Sequence, residues 1–157
     1  WPKSPDGFGA SLTRILPPGP PSDPASWRSS VATGGSPSAE DSVPFTGDPE
    51  ADLDLDGITA LLEHAYGTSD AVPNFGEDFF TINLDGTLNL SLQENLAADD
   101  IEWIFEHSSD LLTWQAAADQ LIFISTTDNG DGTARLQFSS AESITARQFW
   151  RARARKH

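Results

Sequence analysis

Cysteine is absent from the chain, which excludes a disulfide framework and any thiolate zinc site. That absence is neutral about compartment. Methionine is absent as well, and we read a chain that opens at Trp1 without an initiator as a piece of a longer precursor. No apolar run approaches the roughly 20 residues that a membrane-spanning helix needs. Bases are scarce too. Nine Lys and Arg stand against 24 Asp and Glu, for a formal net charge of -15. A surface of that sign repels phosphates, so nucleic acid and anionic membranes are poor partners, whereas cations are good ones.

What is present divides the 157 residues in three. Residues 1–47 form an extended arm rich in proline and glycine, with Pro17-Pro18-Gly19-Pro20-Pro21 at its centre. Proline removes backbone donors and glycine resists ordering, so continuous sheet or helix is not expected there. Short extended pieces fit at Ala10–Leu16 and near Trp27. Residues 48–70 hold an acidic loop and a short helix. Residues 71–157 read as a small antiparallel β-sandwich, so the fold class is mainly β.

The β region announces itself by its period. Leu88, Leu90 and Leu92 alternate with Asn89 and Ser91, and Phe80, Ile82 and Leu84 are in phase before them, as half-buried strands require. Asp85-Gly86 between the two runs predicts a hairpin. Ile101, Trp103 and Phe105 share a face. Leu121–Ser125 and Ala134–Phe138 flank a second tip at Asp128-Asn129-Gly130-Asp131-Gly132. Phe149–Arg155 closes the set, with Arg151, Arg153 and Arg155 on one face of an edge strand, where charge discourages strand-on-strand association.

The run Asp52-Leu53-Asp54-Leu55-Asp56-Gly57-Ile58-Thr59-Ala60-Leu61-Leu62-Glu63 fits D-x-D-x-D-G-x5-E at every constrained position. Calcium takes six to eight hard oxygens. Carboxylates of Asp52, Asp54 and Asp56 converge when the chain curls, and Gly57 permits the turn. Ile58 then offers its backbone carbonyl, and Glu63 returns from the helix to chelate. Ala60 supplies no side-chain ligand, which leaves a place for water. Magnesium prefers fewer protein ligands. A helix N-terminus that merely favours acids accounts for one or two aspartates, not for three alternating ones with a glycine and a glutamate in register. The helix is predicted over Ile58–Tyr66, with Gly67 as its left-handed stop. A single such loop without a preceding helix argues for a structural site rather than a paired sensor.

At these residues the chain resembles the C-terminal region of large secreted multidomain proteins of environmental bacteria. The run Asp52–Gly67 looks like their calcium loop and helix. Ser108-Ser109-Asp110-Leu111-Leu112-Thr113-Trp114 matches an S-x-D-L-x-x-W signature of the small β domain that follows. Trp1-Pro2, Gly9-Ala10-Ser11-Leu12, Asp23–Arg28 and Gly34–Pro37 are similar to the end of a lamin-tail domain. The resemblance implies an extracellular or cell-surface setting and a non-enzymatic structural role. Only the last part of a lamin-tail sandwich is present, so the arm would leave edges unpaired. Either the missing half belongs to the longer precursor, or another chain supplies it by strand addition; the second alternative implies self-association that builds a surface structure or filament, with another cell-surface protein as the other partner.

No zinc-protease helix, phosphate-cradling loop or nucleophile elbow is present, and the 24 acids are too many for a catalytic pair to stand out. We therefore expect no enzyme. His64 reads as a residue of the helix surface and His107 as a strand-end residue. The competing reading is a carbohydrate-binding appendage of a secreted hydrolase, with glycans stacked on Trp1, Trp27, Trp103, Trp114 or Trp150. An exposed coplanar tryptophan pair would favour it, and packed tryptophans would favour the structural role.

Overall fold

The structure is a computed structural model that describes residues 1–2, 5–7, 9–15, 19–75 and 78–157. Leu16 and the prolines at 17 and 18 lie outside the described residues. The arm carries strands β1 (Ala10–Arg14) and β2 (Trp27–Thr33), paired antiparallel as a two-stranded sheet. Helix α1 (Ala60–Tyr66) follows. Then come β3 (Asp78–Ile82), β4 (Thr87–Asn95), β5 (Ile101–Ser108) and β6 (Gln115–Ala116). The last strands are β7 (Leu121–Asp128), β8 (Thr133–Ser143) and β9 (Phe149–Lys156). They form an antiparallel four-stranded sheet ordered β3-β4-β8-β7 and a three-stranded sheet ordered β6-β5-β9.

The alternation in the sequence fixes which side chains meet between the sheets. Leu88, Leu90 and Leu92 are buried, and their cross-strand partners Leu136 and Phe138 lie on the same face. Phe105 and Ala152 are buried on the facing sheet, with Trp103 and Trp150 packed beside them. The Phe105 and Phe138 rings meet at 5.0 Å across the layers. Tyr66 and Ala65 of α1 are also buried, and Tyr66 lies 5.5 Å from the Trp103 ring. The fold is thus a small β-sandwich with one short helix.

Helix α1 is two residues shorter at its start than its apolar pattern predicts. Thr59 is extended and serves as N-cap, because Ile58 is still occupied by the acidic loop. Its other end matches expectation: Gly67 adopts φ 81° and donates its N–H to the Glu63 and His64 carbonyls. Amides of β4 reach two carbonyls of the last turn, Asn95 Nδ2 donating to His64 O (2.9 Å) and Gln93 Nε2 to Tyr66 O (3.0 Å). Those bonds set the helix, and hence the acidic loop, on the sheet. His64 departs from expectation. It is turned inward, with its ring 5.4 Å from that of buried Phe45.

The arm is pinned to the body by one buried cation. The Arg28 guanidinium donates to Asp99 Oδ1 (2.6 Å) and Oδ2 (3.2 Å), to Asp41 Oδ2 (2.8 Å), and to the carbonyls of Asp41 (2.7 Å) and Ser29 (3.0 Å). Every donor so placed has an acceptor, which is the condition for burying a charge without a large penalty. Further along, Phe45 N donates to Asp100 Oδ2 (2.9 Å), and Lys156 Nζ reaches Phe45 O (2.7 Å).

The arginines of β9 lie opposite acids of β5. Arg151 meets Glu106 at 2.7 Å, and Arg155 meets Glu102 at 2.6 Å. β9 is an edge strand, so this charged ladder sits where the sequence placed it. The Ser108–Trp114 signature forms a tight turn. Ser108 Oγ accepts the N–H groups of Asp110 and Leu111, and Asp110 Oδ1 accepts those of Leu112 and Thr113, at 2.8–3.2 Å. These bonds hold the Asp110 carboxyl below the usual carboxylate range. Trp114 then lies under the Arg151 guanidinium, 3.9 Å from its carbon to the ring centroid.

Candidate metal centre

The acidic loop inverts the usual order of inside and outside. Leu53 and Leu55 are 75% and 84% exposed, whereas Asp52, Asp54 and Asp56, which alternate with them, are partly buried. Turning leucines to water and carboxylates inward is unfavourable unless something inside rewards the carboxylates. Backbone N–H groups supply part of that reward. Asp52 accepts from Asp56 N (3.2 Å) and Gly57 N (3.1 Å), Asp54 from Asp56 N (3.2 Å), and Asp56 from Ile58 N (2.8 Å). The curl requires left-handed backbone at Leu55 (φ 63°) and Gly57 (φ 90°). Its two ends are held by Ala60 N donating to Ala51 O (2.8 Å) and Leu61 N to Pro49 O (3.3 Å).

Two groups of carboxylates converge, and they share Asp54. In one, ligand atoms of Asp54, Asp56 and Glu63 lie within 4.8 Å of one another; in the other, those of Asp52, Asp54 and Asp70 do. Asp52 is therefore beside Asp54 but not in one cluster with Glu63. Ile58 directs its side chain at the core. Asp70 and Asn74 are residues that the loop motif does not reveal. Both follow the Gly67 stop, which turns the chain back over the loop.

Glu63 is the side chain that most needs an explanation. It is 1% exposed and its Oε2 has no hydrogen-bond partner. Oε1 accepts from Asn74 Nδ2 (2.6 Å) and weakly from Thr68 Oγ1 (3.3 Å). Burial pushes its pKa up, the two hydrogen bonds pull against that, and the charges of Asp54 and Asp56 add to the rise. Asp54 is raised as well, by desolvation and by the charges of Asp56, Asp52 and Asp70. Its Oδ2 is likewise buried without a partner, as is Asn74 Oδ1. Compared with known protein families, curated proteins and solved structures, the chain matches none. The chemistry of the site must therefore carry its own interpretation. Its donors are all oxygens, with no imidazole or thiol among them. That set suits a hard divalent cation and is wrong for zinc or copper.

Proposed function

We propose that this chain is a non-enzymatic, calcium-stabilised structural module of an extracellular or cell-surface protein. The observation that supports it most is the partnerless Oε2 of buried Glu63, whose carboxylate lies beside those of Asp54 and Asp56. A buried carboxylate with no cation to pair it, and one oxygen unsatisfied, costs several kcal/mol in the usual range. A divalent ion bound by Asp52, Asp54, Asp56, Glu63 and the Ile58 carbonyl offsets that cost. Calcium fits this larger and more flexible donor set better than magnesium, which holds near-ideal octahedra and keeps its waters.

The ion's service is mechanical. The loop lies between the arm and the sandwich, so neutralising it fixes where one leads into the other. Affinity in the range of roughly 10⁻⁶–10⁻³ M is expected of an extracellular site. At 100 times the dissociation constant, binding adds about 2.7 kcal/mol to stability. Calorimetric titration with CaCl₂ and a melting curve with and without EDTA test the reading. Absence of both heat and a melting shift would refute it.

The tryptophans favour a structural role over sugar binding. Of the five, only Trp1 is exposed, and its ring is tilted 44° to that of Trp27. For assembly, we propose exchange of the arm between copies: the arm's Arg28 would engage Asp99 of a neighbour as it engages its own. Light scattering and electron microscopy of the chain without residues 1–47 check this. Unchanged assembly would count against exchange.

A further inference from the structure

Among the described residues, the segment Thr68–Phe75 lies in neither helix nor strand, and it exposes Val72 (63%) and Phe75 (95%). Its polar groups nonetheless reach back to the acidic loop at three points. Asp70 Oδ1 accepts Leu53 N (2.8 Å), Asn74 N donates to Asp56 Oδ2 (2.7 Å), and Asn74 Nδ2 donates to Glu63 Oε1 (2.6 Å). A carboxylate oxygen of Asp70 lies within 4.8 Å of those of Asp52 and Asp54.

We propose that Asp70 is a further ligand of the cation and that Asn74 positions two others, so that cation binding locks Thr68–Phe75 onto the loop. The proposal rests on the calcium reading above. Acids in proximity would not suffice for it. The 1%-exposed Glu63, with its partnerless Oε2, belongs to the group of Asp54 and Asp56; Asp54, whose own Oδ2 is buried without a partner, joins that group to Asp70, and Asn74 holds the other oxygen of Glu63. Asn74 bonds Asp56 and Glu63 at once, and these sit at positions five and twelve of the loop, so it sets their separation. Without a cation, five carboxylates (Asp52, Asp54, Asp56, Glu63 and Asp70) repel one another, and that repulsion pushes Asp70 and its segment away. With one, the repulsion becomes attraction to a common centre. The loop motif alone supplies the curl, and the returning segment closes it.

The test uses the full chain and calcium alone. Calorimetric titration compares wild type with Asp70→Asn, Asn74→Ala and, as a control at an exposed acid outside the clusters, Glu50→Gln. Hydrogen exchange follows residues 68–75 with and without calcium in wild type. We expect at least a tenfold loss of affinity for the first two variants, a change within twofold for the control, and slower exchange of residues 68–75 when calcium is bound. Wild-type affinity in both variants, or exchange indifferent to calcium in wild type that does bind it, overturns this proposal alone. A wild type that binds no calcium overturns the calcium reading and this proposal with it. The wild-type exchange measurement stands whether or not a variant folds.

Discussion

Replacing Arg28 by methionine isolates what ties the arm to the sandwich. Arg28 and Asp99 are buried at 8% and 7% exposure, and Asp41 is nearly so. Methionine keeps much of the aliphatic volume and removes the charge, which takes the cation away from two carboxylates in a site with little water. Breaking one partner of a buried ion pair costs about 3–5 kcal/mol, because the desolvation of what remains is no longer compensated. For a domain of this size each kcal/mol lowers the melting temperature by about 2–4 °C, so a fall of roughly 6–20 °C is expected. Urea denaturation at pH 7 measures the free energy directly. The sign with pH is a second check. Burial raises the pKa of Asp41, but hydrogen bonds from Ser36, Arg28 and Val31 outweigh it and hold the group below the usual range. Its contribution is therefore fully present above that range and is lost as pH falls through the folded value. The gap between wild type and variant should narrow in acid. Adding Asp99→Leu to Arg28→Met should restore part of the loss, since an apolar replacement removes a carboxylate that has lost its cation. A loss under about 1 kcal/mol at pH 7 would refute the claim that the arm is anchored here.

Calcium affinity should fall as pH drops, because Glu63 and Asp54, both raised above ordinary carboxylates, must lose their protons to bind; titrations at pH 7 and pH 5 decide it, and equal affinities would contradict the assignment. Gly67→Ala should destabilise by roughly 1–2 kcal/mol in urea, since alanine is strained at left-handed φ. Its Cβ would also lie 3.0 Å from Thr133 Cγ2. Burial pushes the Glu94 carboxyl up to about 7, with Arg28 opposing the rise and Asp99 adding to it. A raised carboxyl penalises folding increasingly as pH rises from its unfolded value to its folded one, so Glu94→Gln should gain roughly 1–3 kcal/mol at pH 8 and nothing near pH 4. Equal effects at both pH values would show that the carboxylate's charge is not what burial disfavours.

Sequence alone determined the elements whose signals are local. The period-two leucines of β4 set its buried face, because successive strand side chains alternate and only one phase puts all three leucines inside. Asp85-Gly86 fixed a turn through the left-handed backbone that Gly86 adopts, φ 83°. The D-x-D-x-D-G spacing brought Asp52, Asp54 and Asp56 around one curl for the same kind of local reason.

Tertiary structure decided what depends on distant chain meeting distant chain. The bond from Arg28 to Asp99 joins residues 71 positions apart, and nothing in either local sequence announces it. His64 turned inward because Phe45, from the arm, supplied a ring to pack on. Asp70 and Asn74 reached the acidic loop only because Gly67 ended the helix and the β4 amides fixed its angle, so no linear motif could contain them. A spacing rule describes one curl of backbone. Closing the shell around it takes a second segment, and the packing of the helix on the sheet determines where that segment goes.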